Sequence, residues 1–312
     1  MIKFVPILLS VFCSFSILHA KISDHYKKIE NKTEGHSYGC IDFVYLINLD
    51  HRPEKYLQTL EEIQGYGVTP FRFSAVNGWV LTHSAIQEIG MQYKHSMRGG
   101  GMGSVYVWDD GKEYVNHELI RREGVTYFCH CMSRGAIGCF MSHLSILKDA
   151  YDSGYEIIWI IEDDIEVKRD PSLLLSYIQE LDSVVGRENW DLFYTDRDYL
   201  AHSGEYVLSS GTDYRPDVET RDQKKFDIDE KISHNLRQTS SRFGTTSMIW
   251  TRSGMKKYLD YNEEHGIFLP IDMDVHLTPG IKIYSVIENV VTNRLNALSD
   301  IGLNIVAEPI NP

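Results

Sequence analysis

The fold of this chain is decided by Ile157-Ile158-Trp159-Ile160-Ile161-Glu162-Asp163-Asp164, where an apolar run ends abruptly in three consecutive carboxylates. Five bulky, mostly β-branched residues predict a strand that is buried on both faces of a parallel sheet. Ligands of open α/β sheets bind just beyond the carboxyl ends of such strands. Because three adjacent acids repel one another, the segment predicts a divalent-cation site at a strand end or, alternatively, a solvated acidic turn.

The segments on both sides of this strand predict further α/β units. Residues 43–49 predict a first strand, residues 53–63 a helix that carries Pro53 in its first turn, and residues 70–76 a second strand. Residues 140–150 and 171–185 have the apolar spacing of amphipathic helices. A strand–helix–strand opening of this kind predicts an α/β fold with a mainly parallel central sheet.

The chain divides into a leader, a linker and one domain. In residues 1–20 a lysine precedes a short apolar run, which predicts a signal peptide. An uncleaved membrane anchor and a buried helix are the alternatives. The polar residues 21–40 predict a linker, and residues 41–305 predict the domain. Within it, residues 90–124 predict irregular structure with a mobile glycine-rich loop at residues 99–103, and residues 196–238 predict a variable insertion or lid. The leader predicts entry into the secretory pathway, or membrane association with the domain on either face.

Composition limits the partners of the protein. Its 312 residues carry a formal net charge of −13, and an acidic surface argues against nucleic-acid binding, which needs clustered Lys and Arg. Beyond the leader lie Cys40, Cys129, Cys131 and Cys139. In an oxidising compartment they would allow two disulfides in three possible pairings.

A second polar cluster lies in the segment Ile271-Asp272-Met273-Asp274-Val275-His276. If this segment is extended, Asp272, Asp274 and His276 project from one face, because side chains of a strand alternate. Two acids and an imidazole on one face are suited to metal binding or to general-base catalysis. An exposed polar strand edge is the alternative.

Taken together and in this order, these segments resemble glycosyltransferase family 25, which includes bacterial lipooligosaccharide galactosyltransferases and collagen galactosyltransferases. The motifs that carry the resemblance are Val44–Glu54, Phe73–Gly78, Gly135–His143, Ile161–Asp164, Pro270–Asp272 and Ser299–Ile301. The stretch Gly-Ala-Ile-Gly-Cys-Phe-Met-Ser-His that begins at Gly135 is the most specific of them. Asn77 stands where the family usually has Asp.

The resemblance implies a GT-A-like fold, in which a Rossmann-type domain binds a nucleotide sugar at the carboxyl ends of its strands. It implies transfer of a hexose, with galactose favoured, from a nucleotide donor that is usually UDP-linked. The acceptor would be a hydroxyl of a glycan, a lipooligosaccharide or a protein, and the transfer would invert the anomeric carbon. The resemblance also implies a requirement for Mn²⁺ or Mg²⁺.

The resemblance and the strand positions together predict roles for the site residues. Glu162 and Asp164 share one face of an extended strand and are predicted to hold the metal ion. His276 is predicted to complete the metal site or to contact the diphosphate. Asp272 matches the family's Pro-x-Asp position and is the first candidate for the base that deprotonates the acceptor, and Asp274 is the second.

A further set of residues is predicted to bind the nucleotide: Asn48, Asp50, Arg52, Ser142, His143 and Asp163. Arg52 could instead form a surface ion pair with Glu54. The glycines that precede Ser142 would let the backbone approach a diphosphate.

Two other classes of protein fit parts of this pattern. A phosphotransfer protein of the receiver or haloacid-dehalogenase type also places acids at a strand end, but Asp163-Asp164 lacks the Asp-x-Asp-x-Thr/Val pattern of the latter. A secreted carbohydrate-binding homologue that has lost turnover would keep the fold, and Asn77 is compatible with it.

Overall fold

A computed structural model describes residues 21–209 and 211–302 of the chain. The predicted leader, residues 1–20, and the last three residues of the predicted domain, 303–305, lie outside the described residues. Within the described ranges, no helix is both long enough and apolar enough to cross a membrane.

The first half of the described chain contains, in order, β1 (Phe43–Asn48), α1 (Pro53–Ile63), β2 (Phe71–Ser74), α2 (His83–Ile89), β3 (Met91–Gln92), β4 (Met102–Asp109), β5 (Lys112–Leu119), β6 (Thr126–Cys129) and α3 (Arg134–Asp152). The second half contains β7 (Ile157–Glu162), β8 (Ile165–Val167), α4 (Leu173–Val185), β9 (Leu192–Tyr194), β10 (Tyr199–Leu200), β11 (Tyr206–Val207), β12 (Asp229–Lys231), β13 (Leu236–Thr239), β14 (Ser247–Thr251), α5 (Arg252–His265), α6 (Ile271–Asp274), β15 (Ile283–Val286) and β16 (Val291–Asn293).

Eight strands form the central sheet in the order β12-β13-β15-β9-β14-β7-β1-β2. The pairs β7–β1, β1–β2 and β9–β15 are parallel, and the other four pairs are antiparallel. The prediction of a mainly parallel sheet is therefore wrong, although the α/β class is confirmed. Two of the antiparallel pairs involve β14, which lies between β7 and β9 and runs against both, and the other two involve β13, which runs against β12 and β15. The described chain between β9 and β14 contains no α-helix of the kind that usually connects parallel neighbours.

Strand β7 is buried on both faces, as its sequence predicts. Ile158 and Ile160 pack in the hydrophobic core that also contains Leu144 of α3. Trp159 and Ile161 face the other way and pack in the core that contains Leu181 of α4. Since helices cover both faces, the polar end of β7 is the point where this strand can meet a ligand.

The predicted irregular loop at residues 90–124 is instead part of a second, four-stranded antiparallel sheet in the order β3-β6-β4-β5. Asp110 and Gly111 connect β4 to β5 with φ angles of 47° and 74°. A two-residue hairpin turn that matches the twist of its strands needs positive φ at both positions, which Asp-Gly readily adopts. The prediction that residues 90–124 are irregular is wrong, and β4 already begins at Met102 within the predicted glycine-rich loop.

Two predicted accessory segments are integrated into the domain. Within the predicted insertion, 196–238, β10 and β11 pair as a short hairpin, while β12 and β13 form one edge of the central sheet. The predicted linker, 21–40, lies against the domain, because Ile22 is buried and Lys32 donates to the hydroxyl of Tyr45 at 2.9 Å.

Candidate functional site

The three carboxylates of Glu162, Asp163 and Asp164 lie where β7 ends and the chain turns into β8. Two cavities flank this turn, one of about 100 Å³ and one of about 460 Å³. The larger has the volume of a small-molecule site. Both are lined by Cys139, Glu162, Asp164, Ser299 and Ile301. The two cavities therefore adjoin one another across the acidic strand end.

Glu162 is held from three sides. Its Oε1 accepts hydrogen bonds from Nε2 of His143 at 2.9 Å and from Oγ1 of Thr245 at 2.6 Å, and the thiol of Cys139 lies 3.8 Å away. Burial would raise the pKa of Glu162, but the hydrogen bonds and charge of His143 outweigh burial and lower it. In the described residues, every hydrogen bond to this carboxylate falls on Oε1.

Asp163 and Asp164 point to different partners. Asp163 accepts a hydrogen bond from Nδ2 of Asn48 at 2.7 Å, and burial raises its pKa to about 6. Asp164 has a buried Oδ1 without a hydrogen-bond partner among the described residues. Burial, followed by the charges of Glu162 and Asp163, raises the pKa of Asp164 to about 7. Burial and the neighbouring carboxylates therefore make it costly to ionise Asp163 and Asp164 beside Glu162.

The segment from Asp272 to His276 is not extended. It forms α6 and a following 3₁₀ turn, Val275–Leu277, so the predicted alternation of side chains is wrong. Asp272 lines the larger cavity and accepts hydrogen bonds from the backbone N–H of Gly244 at 2.9 Å and of Met273 at 3.0 Å. Burial raises the pKa of Asp272, while these backbone donors oppose the rise.

The structure separates Asp274 and His276 from Asp272. Asp274 is fully buried and accepts a hydrogen bond from the guanidinium of Arg215 at 2.7 Å. His276 shares a 2.7 Å hydrogen bond with Oγ1 of Thr212 and packs edge-on against the ring of Phe226. Neither residue lines the cavities at the strand end. The predicted grouping of the three side chains fails because the short helix spreads them around its axis.

Since burial lowers the pKa of His276 to about 4, its replacement by Gln should change how stability depends on pH. An unfolded His takes up a proton near pH 6.5. Between that pH and about 4, only the unfolded state binds this proton, so acid destabilises the wild type. From pH 6.5 to pH 5 we expect the wild type to lose about 1.5 kcal/mol more than His276→Gln. Urea unfolding at several pH values measures this difference, and two parallel curves would contradict it.

The residues predicted to bind the nucleotide at the end of β1 have different surroundings. Asn48 lines the smaller cavity and binds Asp163. Asp50 is largely exposed and accepts hydrogen bonds from Arg72 and Ser74, away from both cavities. Arg52 lies 3.3 Å from Glu54, the predicted surface ion pair.

The guanidinium of Arg52 also contacts Asp300 at 2.6 Å, and the ammonium of Lys55 contacts the same carboxylate at 2.7 Å. These two ion pairs attach the closing Ser-Asp-Ile motif to the start of α1. Arg52 is thus paired with both Glu54 and Asp300, and in the structure it holds the Ser-Asp-Ile motif beside the smaller cavity.

Ser142 and the glycines before it pack α3 against the turn after β2. The hydroxyl of Ser142 accepts from the backbone N–H of Val76 at 2.8 Å and donates to the carbonyl of Gly138 at 2.8 Å. A Cβ on Gly138 would lie 2.5 Å from the carbonyl oxygen of Val76 and 2.5 Å from the nitrogen of Gly78. Gly138 therefore permits a close approach of backbone to backbone, while Gly135 and Ser142 line the smaller cavity.

Gly138→Ala is therefore expected to destabilise the protein by about 1–3 kcal/mol, because neither backbone neighbour can move away cheaply. Gly65→Ala is a matched control, since no atom lies within 4 Å of the Cβ that it would add. Chemical denaturation of the two variants measures the difference. Equal stabilities would show that the turn after β2 adapts to the added methyl group.

Several residues at the site escaped the sequence prediction. Lys55 and Arg294 bring positive charge to the smaller and larger cavity respectively, and Thr245 binds Glu162. Lys55 lies close to Arg52 in the first turn of α1, which is the one local signal that could have revealed it. The other two come from distant parts of the chain.

The cysteines that could have formed disulfides are free in the structure. Cys40 and Cys131 are exposed, Cys129 is buried, and Cys139 is partly buried beside Glu162. None of the three disulfide pairings that the sequence allows is formed among these described residues.

Comparison with known proteins supports the resemblance seen in the motifs. A Xenopus laevis procollagen galactosyltransferase 1-B is 27% identical over 164 residues, which are 50% of this chain and 21% of the relative. An Aedes aegypti glycosyltransferase 25 family member is 26% identical over 173 residues, 55% of this chain and 24% of the relative. A human protein named inactive glycosyltransferase 25 family member 3 is 24% identical over 156 residues, 50% of this chain and 22% of the relative.

This chain thus covers about a quarter or less of the length of these relatives. The profile of glycosyltransferase family 25 (LPS biosynthesis protein) matches residues 41–275, which include the strand end, α3 and Asp272. The match extends over most of the chain and includes Glu162, Asp164 and Asp272, whereas Asp300 of the smaller cavity lies beyond it. The chain therefore belongs to glycosyltransferase family 25.

Proposed function

We propose that this protein transfers a hexose, with galactose favoured, from a nucleotide sugar to a hydroxyl of a glycan, a lipooligosaccharide or a protein. The observation that carries the proposal is the position of Glu162 and Asp164, which line two adjoining cavities at the end of a buried strand, with Asp272 in the larger one. A UDP-linked donor is the favoured substrate class. Two adjoining cavities provide space for a donor and an acceptor that meet at the carboxylates.

The carboxylates fit a bound Mn²⁺ or Mg²⁺. Asp164 has a buried oxygen without a partner among the described residues, and burial together with Glu162 and Asp163 makes its ionisation costly unless a cation is bound. Hard divalent cations select such oxygen ligands. We propose that Glu162 and Asp164 hold the ion, which when bound would neutralise the charge that develops on a departing diphosphate. Lys55 and Arg294 would add positive charge from the chain itself.

Asp272 is our candidate for the base that inverting transfer needs. Its two backbone hydrogen bonds fix the carboxylate in the wall of the larger cavity. From there it would accept the proton of the acceptor hydroxyl as that oxygen attacks the anomeric carbon. Asp274 is less suited to this role, because its carboxylate is enclosed with Arg215.

A second candidate function is carbohydrate binding without turnover, and it is favoured by the name "inactive" that the human relative carries. Both functions share the cavities and differ in whether the donor is broken down. Entry into the secretory pathway and membrane association through residues 1–20 remain predictions in either case.

The test is donor hydrolysis by the purified protein across a panel of UDP- and GDP-sugars, with Mn²⁺ or with EDTA. We expect release of nucleotide from one donor in Mn²⁺ only. Asp164→Asn should lower the rate by at least about 100-fold, the scale of losing one preorganised electrostatic contact in a site. The matched control is Asp260→Asn, which removes an exposed carboxylate of α5 that pairs with Lys256.

The possible results separate the two candidates. Hydrolysis that Asp164→Asn abolishes and Asp260→Asn preserves supports the transferase. Nucleotide-sugar or glycan binding without release, with every donor and in the presence of candidate acceptors, supports the binding protein.

A further inference from the structure

We propose that Cys139, His143 and Glu162 form a binding site for a thiophilic divalent cation such as Zn²⁺, distinct in chemistry from the predicted Mn²⁺ or Mg²⁺ site. The Sγ, Nε2 and carboxylate oxygen of these residues all lie within 4.8 Å of one another. A thiolate and an imidazole are ligands that select Zn²⁺ and similar ions over Mg²⁺. The group is therefore a mixed Cys/His/carboxylate set and not a further cluster of acids.

The local structure explains why the three groups converge. Cys139 and His143 are four residues apart on α3 and so lie on one face of that helix, one turn above the other. That face lies over the end of β7, where Glu162 is the last residue of the strand. Two ligands from one helix turn and a third from a strand end define a compact site on rigid elements.

Of the two separations measured from Glu162, one matches a tetrahedral ion and the other is about half an ångström too short. Metal–ligand bonds of 2.0–2.3 Å place sulfur and oxygen ligands about 3.6 Å apart and nitrogen and oxygen ligands about 3.4 Å apart. The observed separations from Oε1 of Glu162 are 3.8 Å to Sγ of Cys139 and 2.9 Å to Nε2 of His143. An opening of about half an ångström between His143 and Glu162 is enough to admit the ion.

The surroundings provide two further features of a metal site, an oriented carboxylate and an entry path, although Nδ1 of His143 has no hydrogen-bond partner among the described residues. Thr245 donates to Oε1 of Glu162 at 2.6 Å and so orients the carboxylate. Cys139 and Glu162 both line the two cavities, which give the ion an entry path and leave a fourth position for water. Binding would release the proton of the Cys139 thiol to solvent as the sulfur–metal bond forms, so affinity should rise with pH.

The two kinds of ion would share Glu162. A thiophilic cation on Oε1 places positive charge beside the carboxylates and should weaken the binding of Mn²⁺ there. This consequence, unlike the site itself, rests on the proposed function. It predicts that Zn²⁺ inhibits donor hydrolysis and that Cys139→Ser reduces the inhibition.

The site is tested with Co²⁺ alone as the probe, because a thiolate ligand gives bound Co²⁺ an intense near-ultraviolet charge-transfer band that oxygen ligands do not give. We expect such a band on titrating the full-length protein, saturating at one ion per chain. Cys139→Ser should abolish it, and Glu162→Gln should weaken Co²⁺ binding by at least about tenfold. Zn²⁺ should displace the Co²⁺ and remove the band.

Cys131→Ser is the matched control, because Cys131 is exposed and lies two residues from Cys129, a second pair of thiols that could bind Co²⁺. The band should persist in Cys131→Ser. No band in the wild type, or a band lost in Cys131→Ser and kept in Cys139→Ser, overturns the proposal. If Cys139→Ser does not fold, His143→Gln replaces it, and unchanged Co²⁺ affinity in that variant overturns the proposal equally. None of these readouts depends on transferase activity.

Discussion

Asp272→Asn is expected to lower the kcat of transfer by about 10²–10⁴-fold, the contribution of one positioned general base. The variant keeps the size of the side chain but cannot accept the proton of an attacking hydroxyl. Because Asp272 belongs to the wall of the larger cavity, we expect KM for the donor to change much less than kcat. Steady-state kinetics with the donor identified by hydrolysis and a hydroxyl acceptor measures both constants.

A structural effect of this substitution must be separated from a chemical one. The new amide of Asn has an NH₂ group where the backbone N–H of Gly244 or Met273 now donates to a carboxylate oxygen, so some stability is lost as well. Asp272→Glu restores a carboxylate on a longer stem and should recover part of kcat. Two results would assign the base to another residue. One is a rate of Asp272→Asn that still falls toward acid pH as in the wild type, and the other is a kcat of the folded variant close to the wild-type value.

The sequence predicted most individual elements, because each depends on local patterns. The apolar run that ends at Glu162, the Pro53 helix start and the spacing of α3 are all read within a few residues, and all appear in the structure. The direction of β14 could not be read in this way. A strand buried on both faces has the same apolar sequence whether it runs parallel or antiparallel to its neighbour.

In the candidate site too, the residues that depend on local patterns were predicted and those that depend on distant contacts were not. Glu162, Asp164 and Asp272 were found because the positions after a buried strand and in a family motif are visible in the sequence, although their catalytic and metal-binding roles stay predictions. Asp274 and His276 were grouped with them because a period of two suggested a strand, whereas the chain here forms a short helix after Pro270. The partner that encloses Asp274, Arg215, is 59 residues away in a segment without a strong pattern.

Arg215 and Asp274 form a buried ion pair, and breaking it should have the largest effect on stability among these variants. Both side chains are completely buried, and Arg215 also binds Asp217 at 2.9 Å and the carbonyl of Gly266 at 2.8 Å. Asp274→Ala leaves a buried guanidinium that has lost one of its two carboxylates. We expect a loss of about 3–5 kcal/mol in the free energy of unfolding, measured by urea denaturation.

The same variant tests whether Asp274 has a chemical role. If Asp274 is structural, donor hydrolysis per folded molecule should remain close to the wild-type rate in Asp274→Ala, in contrast to the loss expected for Asp272→Asn. The double variant Arg215→Met with Asp274→Leu should recover only part of the lost stability. Apolar groups of similar volume can replace the ion pair itself, but Asp217 and the carbonyl of Gly266 then lose Arg215 as a donor. A stable Asp274→Ala protein that has lost hydrolysis would contradict this account. It would mean that the helix of Asp272 rearranges when substrate binds and brings both carboxylates to the reacting atoms.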